Sequence, residues 1–280
     1  MATLRRIAGS LVVLAALTAV WPVLVAAVLV APHAVFISHR TRTAQVELFN
    51  TGNAPEEVSV ELAYGYPDTD SAGNVFLRMF DVPPADQPAS TSWMRAFPRR
   101  VVVPPGQRQT VRILAQPPAN LDDGEYWTRM VVTSREAAPP AGPVDSGQVR
   151  AGLSVEIRTV ISVSYRKGAL RTGLTLTDFR TGVERDSLVT WFGLRREGNA
   201  AYLGTASVEL RDARGRVAGE WSAPMGVYFS QLRRVTIPVA DLPRGQYTVQ
   251  LAVTTAREDI SPSDVLPAEP VRRAQAVELR

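Results

Sequence analysis

"LDDGEYWTRMVV", Leu121 to Val132, is the stretch whose reading decides the fold. "LPRGQYTVQLAV", Leu242 to Val253, says nearly the same thing again. Each is preceded by a period-two run, Thr110 to Leu114 and Val235 to Val239. Each then passes through Leu-x-x-Gly-[Glu/Gln]-Tyr into an alternating apolar strand. This is the pattern of a tyrosine corner, in which a tyrosine at the start of a late strand hydrogen-bonds back to the backbone and pins the crossing between two sheets. On this reading Gly124 and Gly245 supply an unusual backbone angle, and Leu121 and Leu242 plug the core. Two corners, each with room for one sandwich around it, predict two Ig-like β-sandwiches in tandem.

The rest of the chain agrees. Apolar and polar residues alternate in "AQVELFN" (Ala44 to Asn50), "VSVELAY" (Val58 to Tyr64) and "NVFLRMF" (Asn74 to Phe80), separated by "NTGNAP", "YPDTDSAGN", "VPPADQPAS" and "VPPGQ". Short strands broken by such turn formers indicate an all-β sandwich, and no segment after Ala27 has convincing helical periodicity. A second family of strands follows: "LVTWFGLRRE", "TASVELRD", "RVTIPV", "YTVQLAV" and "AQAVEL". The predicted organisation is therefore a leader over residues 1–27, a first sandwich over 28–167 and a second over 168–280. The Pro- and Ala-rich stretch Glu136 to Gln148 is read as a loop within the first sandwich.

The leader is an address. "MATLRR" is basic, Ile7 to Ala27 is almost wholly apolar, and "VAA" at Val25 to Ala27 offers small residues for cleavage. That is a secretory signal cut near Ala27. An uncleaved anchor is the alternative, because the run approaches the ~20 residues that span a bilayer. Pro22 favours the signal. Either way the body lies outside the cytoplasm, and a membrane is a partner only if the leader stays. The chain has 280 residues, 45% hydrophobic and 21% charged, which is a folding composition. It has no cysteine, which removes disulfides and thiolate chemistry. Its formal charge is +4, carried almost wholly by arginine, and no basic cluster is interleaved with aromatics as nucleic-acid binding would require.

Chemistry is hard to find. His33 and His39 stand six residues apart without the HExxH spacing, and there is no GxSxG elbow. "DTDSAGN" (Asp68 to Asn74) has a D-x-D and a glycine at the sixth place, but Ala72 occupies the fifth and no glutamate closes the loop, so it reads as a hairpin turn. The expectation is a non-enzymatic protein with no cofactor and no metal.

One feature exceeds the needs of a plain sandwich. Leu153, Val155, Ile157, Thr159, Ile161, Val163 and Tyr165 alternate without a break. At ~3.3 Å per residue such a run spans about 40 Å, roughly twice an average strand. Its early half either projects as an edge that a partner strand can join, or crosses from one domain to the next.

From Val28 to Arg166 the chain resembles the periplasmic pilus-assembly chaperones of the PapD type. The pieces that carry the resemblance occur in the family's order: "LVAPHAVFI", "AQVELFNTGNAPEEVSVEL", "FPRRVVVPPGQRQTVRI", "LDDGEYWTRMVV" and "VISVSYR". The resemblance implies two Ig-like domains and a periplasmic location. It also implies a secreted, β-rich pilin-like subunit as partner, with an outer-membrane usher as a further one. The lent strand then falls on Leu153, Val155 and Ile157. The family's anchor for the subunit's terminal carboxylate falls on His33 and Ser162, neither of which is the arginine or lysine of the family's motif. Arg158, on the same strand face as Ser162, is the substitute; Arg166 reads as structural. Gly168 to Arg280 matches the family poorly and is an Ig-like sandwich by its own strands and corner. The alternative function is a structural or adhesive envelope protein without a chaperone cycle.

Overall fold

A computed structural model describes residues 28–137 and 155–280; the leader and the loop ahead of Val155 lie outside it. Two β-sandwiches form, each closed around its own apolar core. In the first, one sheet has the order β1-β3-β8-β6: Val28–Ala31, Thr43–Asn50, Arg108–Ala115 and Met94–Phe97. The facing sheet runs β2 (Ala34–Ser38), β10 (Glu156–Lys167), β9 (Gly124–Glu136), β4 (Glu56–Thr69) and β5 (Val75–Phe80), with β7 (Arg100–Val103) also paired to β4. Alternation drives the closure. Val46, Leu48, Val111 and Ile113 point inward from one sheet to meet Val58, Val60, Met130 and Ile161 from the other, all 2% exposed or less.

The second sandwich packs a three-stranded sheet, β11 (Thr172–Glu184), β12 (Ser187–Gly198) and β15 (Ser230–Pro238), on a four-stranded one. The latter has the order β14 (Val217–Val227), β13 (Tyr202–Asp212), β16 (Gly245–Thr254) and β17 (Val271–Leu279). Three strands on four is the Ig constant-type count. No helix among the described residues is long and apolar enough to cross a membrane.

Both tyrosine corners are present. Tyr126 donates its hydroxyl to Asp122 O at 3.0 Å, and Tyr247 to Pro243 O at 2.8 Å, each four residues back. Leu121 packs on the first core and Leu242 on the second. Gly245 has φ +145°, as the motif expects. Gly124 corrects the expectation: its φ is not positive, and its lack of a side chain matters because Asn199 O of the second sandwich would lie 3.4 Å from a Cβ there.

Between the cores sits a third, aromatic cluster of Tyr64, Tyr66, Trp127 and Tyr228, flanked by Phe80 and Phe229. Tyr66 meets Phe229 edge-on at 4.8 Å and Trp127 meets Tyr228 edge-on at 4.7 Å. The β4–β5 hairpin reaches across to the second sandwich and lies along β15. Gln231 donates to Pro67 O at 3.0 Å, and the Leu232 N–H donates to Thr69 Oγ1 at 2.9 Å. At the hairpin's tip Asp70 accepts from the N–H groups of Ala72 and Asn74, so its carboxylate serves the turn.

Candidate functional site: the open edge of β10

β10 pairs with β9 along its whole length, from Glu156 opposite Arg135 to Lys167 opposite Gly124. On its other side it pairs with β2, in parallel, only from Ser162 opposite Ala34 to Arg166 opposite Ser38. From Glu156 to Ile161 that side has no strand beside it among the described residues. The Ser162 N–H donates to His33 O at 3.1 Å, and Arg166 O accepts from the His39 N–H at 2.8 Å. Main-chain groups alternate between the two edges of a strand. The even residues therefore face the β2 side, and Glu156, Arg158 and Val160 direct their N–H and C=O groups at the open edge.

The odd residues form the side-chain row that faces the core. Tyr165 and Val163 are fully buried and Ile161 is 2% exposed. Thr159 and Ile157 are half-buried, and Val155, just ahead of the strand, is 50% exposed. One continuous apolar row thus starts inside the chain's own core and climbs out of it. The strand begins at Glu156, later than the alternating sequence alone suggests. Val155 and Ile157 stand on the outgoing part of the row, and Leu153 lies outside the described residues.

Where β10 meets β2, the structure brings two of the three anchor candidates together. His33 is exposed, its carbonyl receives the Ser162 N–H, and Ser162 Oγ lies 3.5 Å from the same oxygen. Arg158 is not with them: it is exposed four residues up the strand, about 13 Å away at ~3.3 Å per residue. The other cations at this junction are engaged. Arg166 donates to Glu125 at 2.7 Å and to Asp264 O at 2.6 Å, and it lies over the Phe36 ring at 4.0 Å. Arg257 holds Asp259 through two bonds of 2.5 and 2.6 Å, which keeps the Asp259 carboxyl below its usual range, with His33 adding to the same effect.

Sequence reasoning missed Glu125. Its side chain is wholly buried, where it receives Arg166 and the Trp127 indole N–H (2.8 Å). The signal was legible in "GEYW": if Tyr126 turns inward at the corner, Glu125 and Trp127 point to the outer face. A tryptophan there demands a cover, and the second sandwich supplies it. Among the described residues no cluster of His, Asp or Glu suited to a metal ion comes together.

No family model matches the chain, and no curated protein does. Solved structures do resemble it. The Pseudomonas aeruginosa CupB2 chaperone is 13% identical over 89% of this chain and 100% of its own, with a TM-score of 0.45. The YadV chaperone is 14% identical over 90% and 99%, with a TM-score of 0.44. The CsuC–CsuE chaperone–tip subunit complex of Acinetobacter baumannii gives 14% over 75% and 90%, with a TM-score of 0.43.

Proposed function

We propose that this chain is an exported, periplasmic chaperone that holds a secreted β-rich, pilin-like subunit by lending it the open edge of β10. The observation that carries the reading is the strand's unequal dress. Its C-terminal half is paired on both sides and buried. Its N-terminal half is paired on one side among the described residues, with the apolar row emerging at Ile157 and Val155. An incomplete sandwich that accepts this edge gains main-chain hydrogen bonds and buries the emerging aliphatic side chains at about 1.5–3 kcal/mol each. Leu153 extends the row by sequence. His33 and Ser162 close the end of the open edge and meet the end of the incoming strand there. No bond is made or broken, and no cofactor is required. An outer-membrane usher would be the complex's destination.

A second reading has one observation in its favour. Arg166 and Arg257 are already tied to carboxylates, so among the described residues the junction offers no free arginine at His33 and Ser162 for a terminal carboxylate. An adhesive or structural envelope protein needs no such anchor. The two readings separate in a pull-down of the tagged protein from periplasmic extract, with mass spectrometry and the Val155→Asp variant alongside. A small β-rich subunit in stable one-to-one complex, lost in the variant, establishes the chaperone. A monomer or self-dimer indifferent to the variant establishes the envelope protein.

A further inference from the structure

The opposite side of the first sandwich carries a second open edge. Among the described residues β6 is the last strand of its sheet and pairs only with β8. Across from it, β4 is edged by β7, and the Val60 N–H extends that ladder by one bond to Arg99 O at 2.8 Å. Between the two runs a groove of about 530 Å³, lined by Ser59, Glu61, Leu62, Arg95, Arg99 and Arg100 among others.

The groove's charge is unbalanced. Arg95 spends its guanidinium on the carbonyls of Ser92 and Met94, 2.9 and 2.7 Å away. Arg99 and Arg100 are exposed and make no ion pair among the described residues, so with Arg95 three arginines line a groove in which Glu61 is the one carboxylate. Arg112, also exposed and without an ion pair among the described residues, stands beside it on β8. The apolar groups are just as unusual. Phe97 is 76% exposed and Leu114 is 47% exposed. Register places Phe97 opposite Arg112 and Leu114 opposite Arg95, so on the outer face of β6 and β8 two apolar side chains and two cations form a checkerboard. Edge strands are ordinarily guarded against pairing by charges of mixed sign or by a covering element. Charges of a single sign select a partner instead of refusing all of them.

We propose that the β6 edge and its groove bind an extended acidic segment of a partner protein, which adds as a strand beside Met94–Phe97. Its carboxylates pair with Arg99, Arg100 and Arg112, the charge of Arg95 adds to the attraction, and an apolar residue covers Phe97. The site is at the far side of the sandwich from β10: β9 and β4 lie between the lending edge and the groove. Both are therefore open at once, and this proposal stands whether or not β10 lends its edge.

The test uses the purified full chain and a short fluorescent peptide in which glutamate alternates with valine and phenylalanine, with its lysine counterpart as control. Binding is read by fluorescence anisotropy at low and physiological salt. The glutamate peptide should bind and weaken as salt rises, and the lysine peptide should not bind. The double variant Arg99→Glu/Arg100→Glu should weaken binding roughly tenfold or more. Arg272→Glu/Arg273→Glu, the same charge change on β17 of the second sandwich, should leave it unaltered. Phe97→Ser, at a side chain too exposed to support the core, should weaken it roughly threefold. Equal losses from both double variants would reduce the effect to net charge and overturn the proposal. So would absence of peptide binding, including the case in which the chain floats instead with anionic phosphatidylglycerol vesicles in an Arg99- and Arg100-dependent way.

Discussion

Replacing Val155 with aspartate separates what the β10 edge does for a partner from what it does for the chain. In the free protein Val155 is half-exposed and precedes the strand, outside the apolar core. A substitution at such a place changes stability by no more than about 0.5 kcal/mol. In the proposed complex the same side chain would be enclosed. A valine whose burial is worth about 1.5–3 kcal/mol from full exposure has roughly half of that left to gain, or about 1 kcal/mol. Aspartate forfeits this and brings an unpaired carboxylate into an apolar groove, a penalty of at least about 3 kcal/mol. The sum, about 4 kcal/mol, is a loss of affinity approaching a thousandfold. Titration calorimetry with the captured subunit measures that loss, and urea unfolding of the free variant checks that it still folds. A change in affinity below about tenfold, with folding intact, would refute the lent-edge argument. So would a large drop in the stability of the free variant, because it would mean that Val155 belongs to the chain's own core. Val163→Asp is the contrasting case: Val163 is fully buried, and its replacement should abolish folding itself.

Removal of either corner hydroxyl, by Tyr126→Phe or Tyr247→Phe, should cost about 0.5–1.5 kcal/mol in urea unfolding, the worth of one hydrogen bond. Glu125→Ala leaves Arg166 without its counter-charge at the junction and should cost about 3–5 kcal/mol in the same experiment, far more than an exposed pair such as Arg108–Glu47. Gly73→Ala puts a side chain at φ +78°, 2.6 Å from Arg234 N and 3.0 Å from the Trp191 ring, and should loosen the β4–β5 hairpin from β15, seen as faster amide exchange over Val75–Phe80. Burial pushes the Tyr202 phenol from 10 up to about 12, so its contribution to stability is complete below pH 10 and is lost as pH rises through about 12. Because the Tyr202 hydroxyl has no partner among the described residues, Tyr202→Phe should leave neutral-pH stability unchanged or raised and move the alkaline unfolding edge upward in a pH-resolved melt.

The sandwiches were legible because the residues that define them act locally. A corner tyrosine bonds four residues back, and strands such as Ala44 to Asn50 alternate cleanly because one face meets the core and the other water. β11 and β14 were not legible. β11 lies at the border of its sheet and is half-buried along much of its length, so alternation is blurred. β14 contains Gly219, Pro224 and Gly226, which argue against a strand in isolation. The structure accommodates them because, among the described residues, β14 pairs on one side only, with β13. The apolar row of β10 was visible in the sequence, but its open side was not, since that depends on where β2 begins, at Ala34 opposite Ser162. The junction was hidden for the same reason: Tyr64, Tyr66, Tyr228 and Phe229 read as ordinary strand residues until the two sandwiches are set against each other.

That junction gives the second sandwich a part in the lent-edge reading even though no residue of it lies on the edge. A partner that docks on β10 and also touches the second sandwich binds two bodies. If those bodies swung freely, fixing them would subtract from the affinity in the way that ordering any flexible segment does. Three different contacts fix them beforehand. The aromatic cluster seals Trp127 under Tyr228 and Phe229, Arg166 of β10, held by Glu125 of β9, donates to Asp264 O, and the β4–β5 hairpin lies along β15. Arg166 sits on β10 itself, four residues beyond Ser162. The residue that ties the second sandwich down therefore also holds the paired end of the strand whose other end is open. Loosening Glu125–Arg166 would then weaken capture of a subunit through disorder at the base of β10, with Val155 and Ile157 untouched.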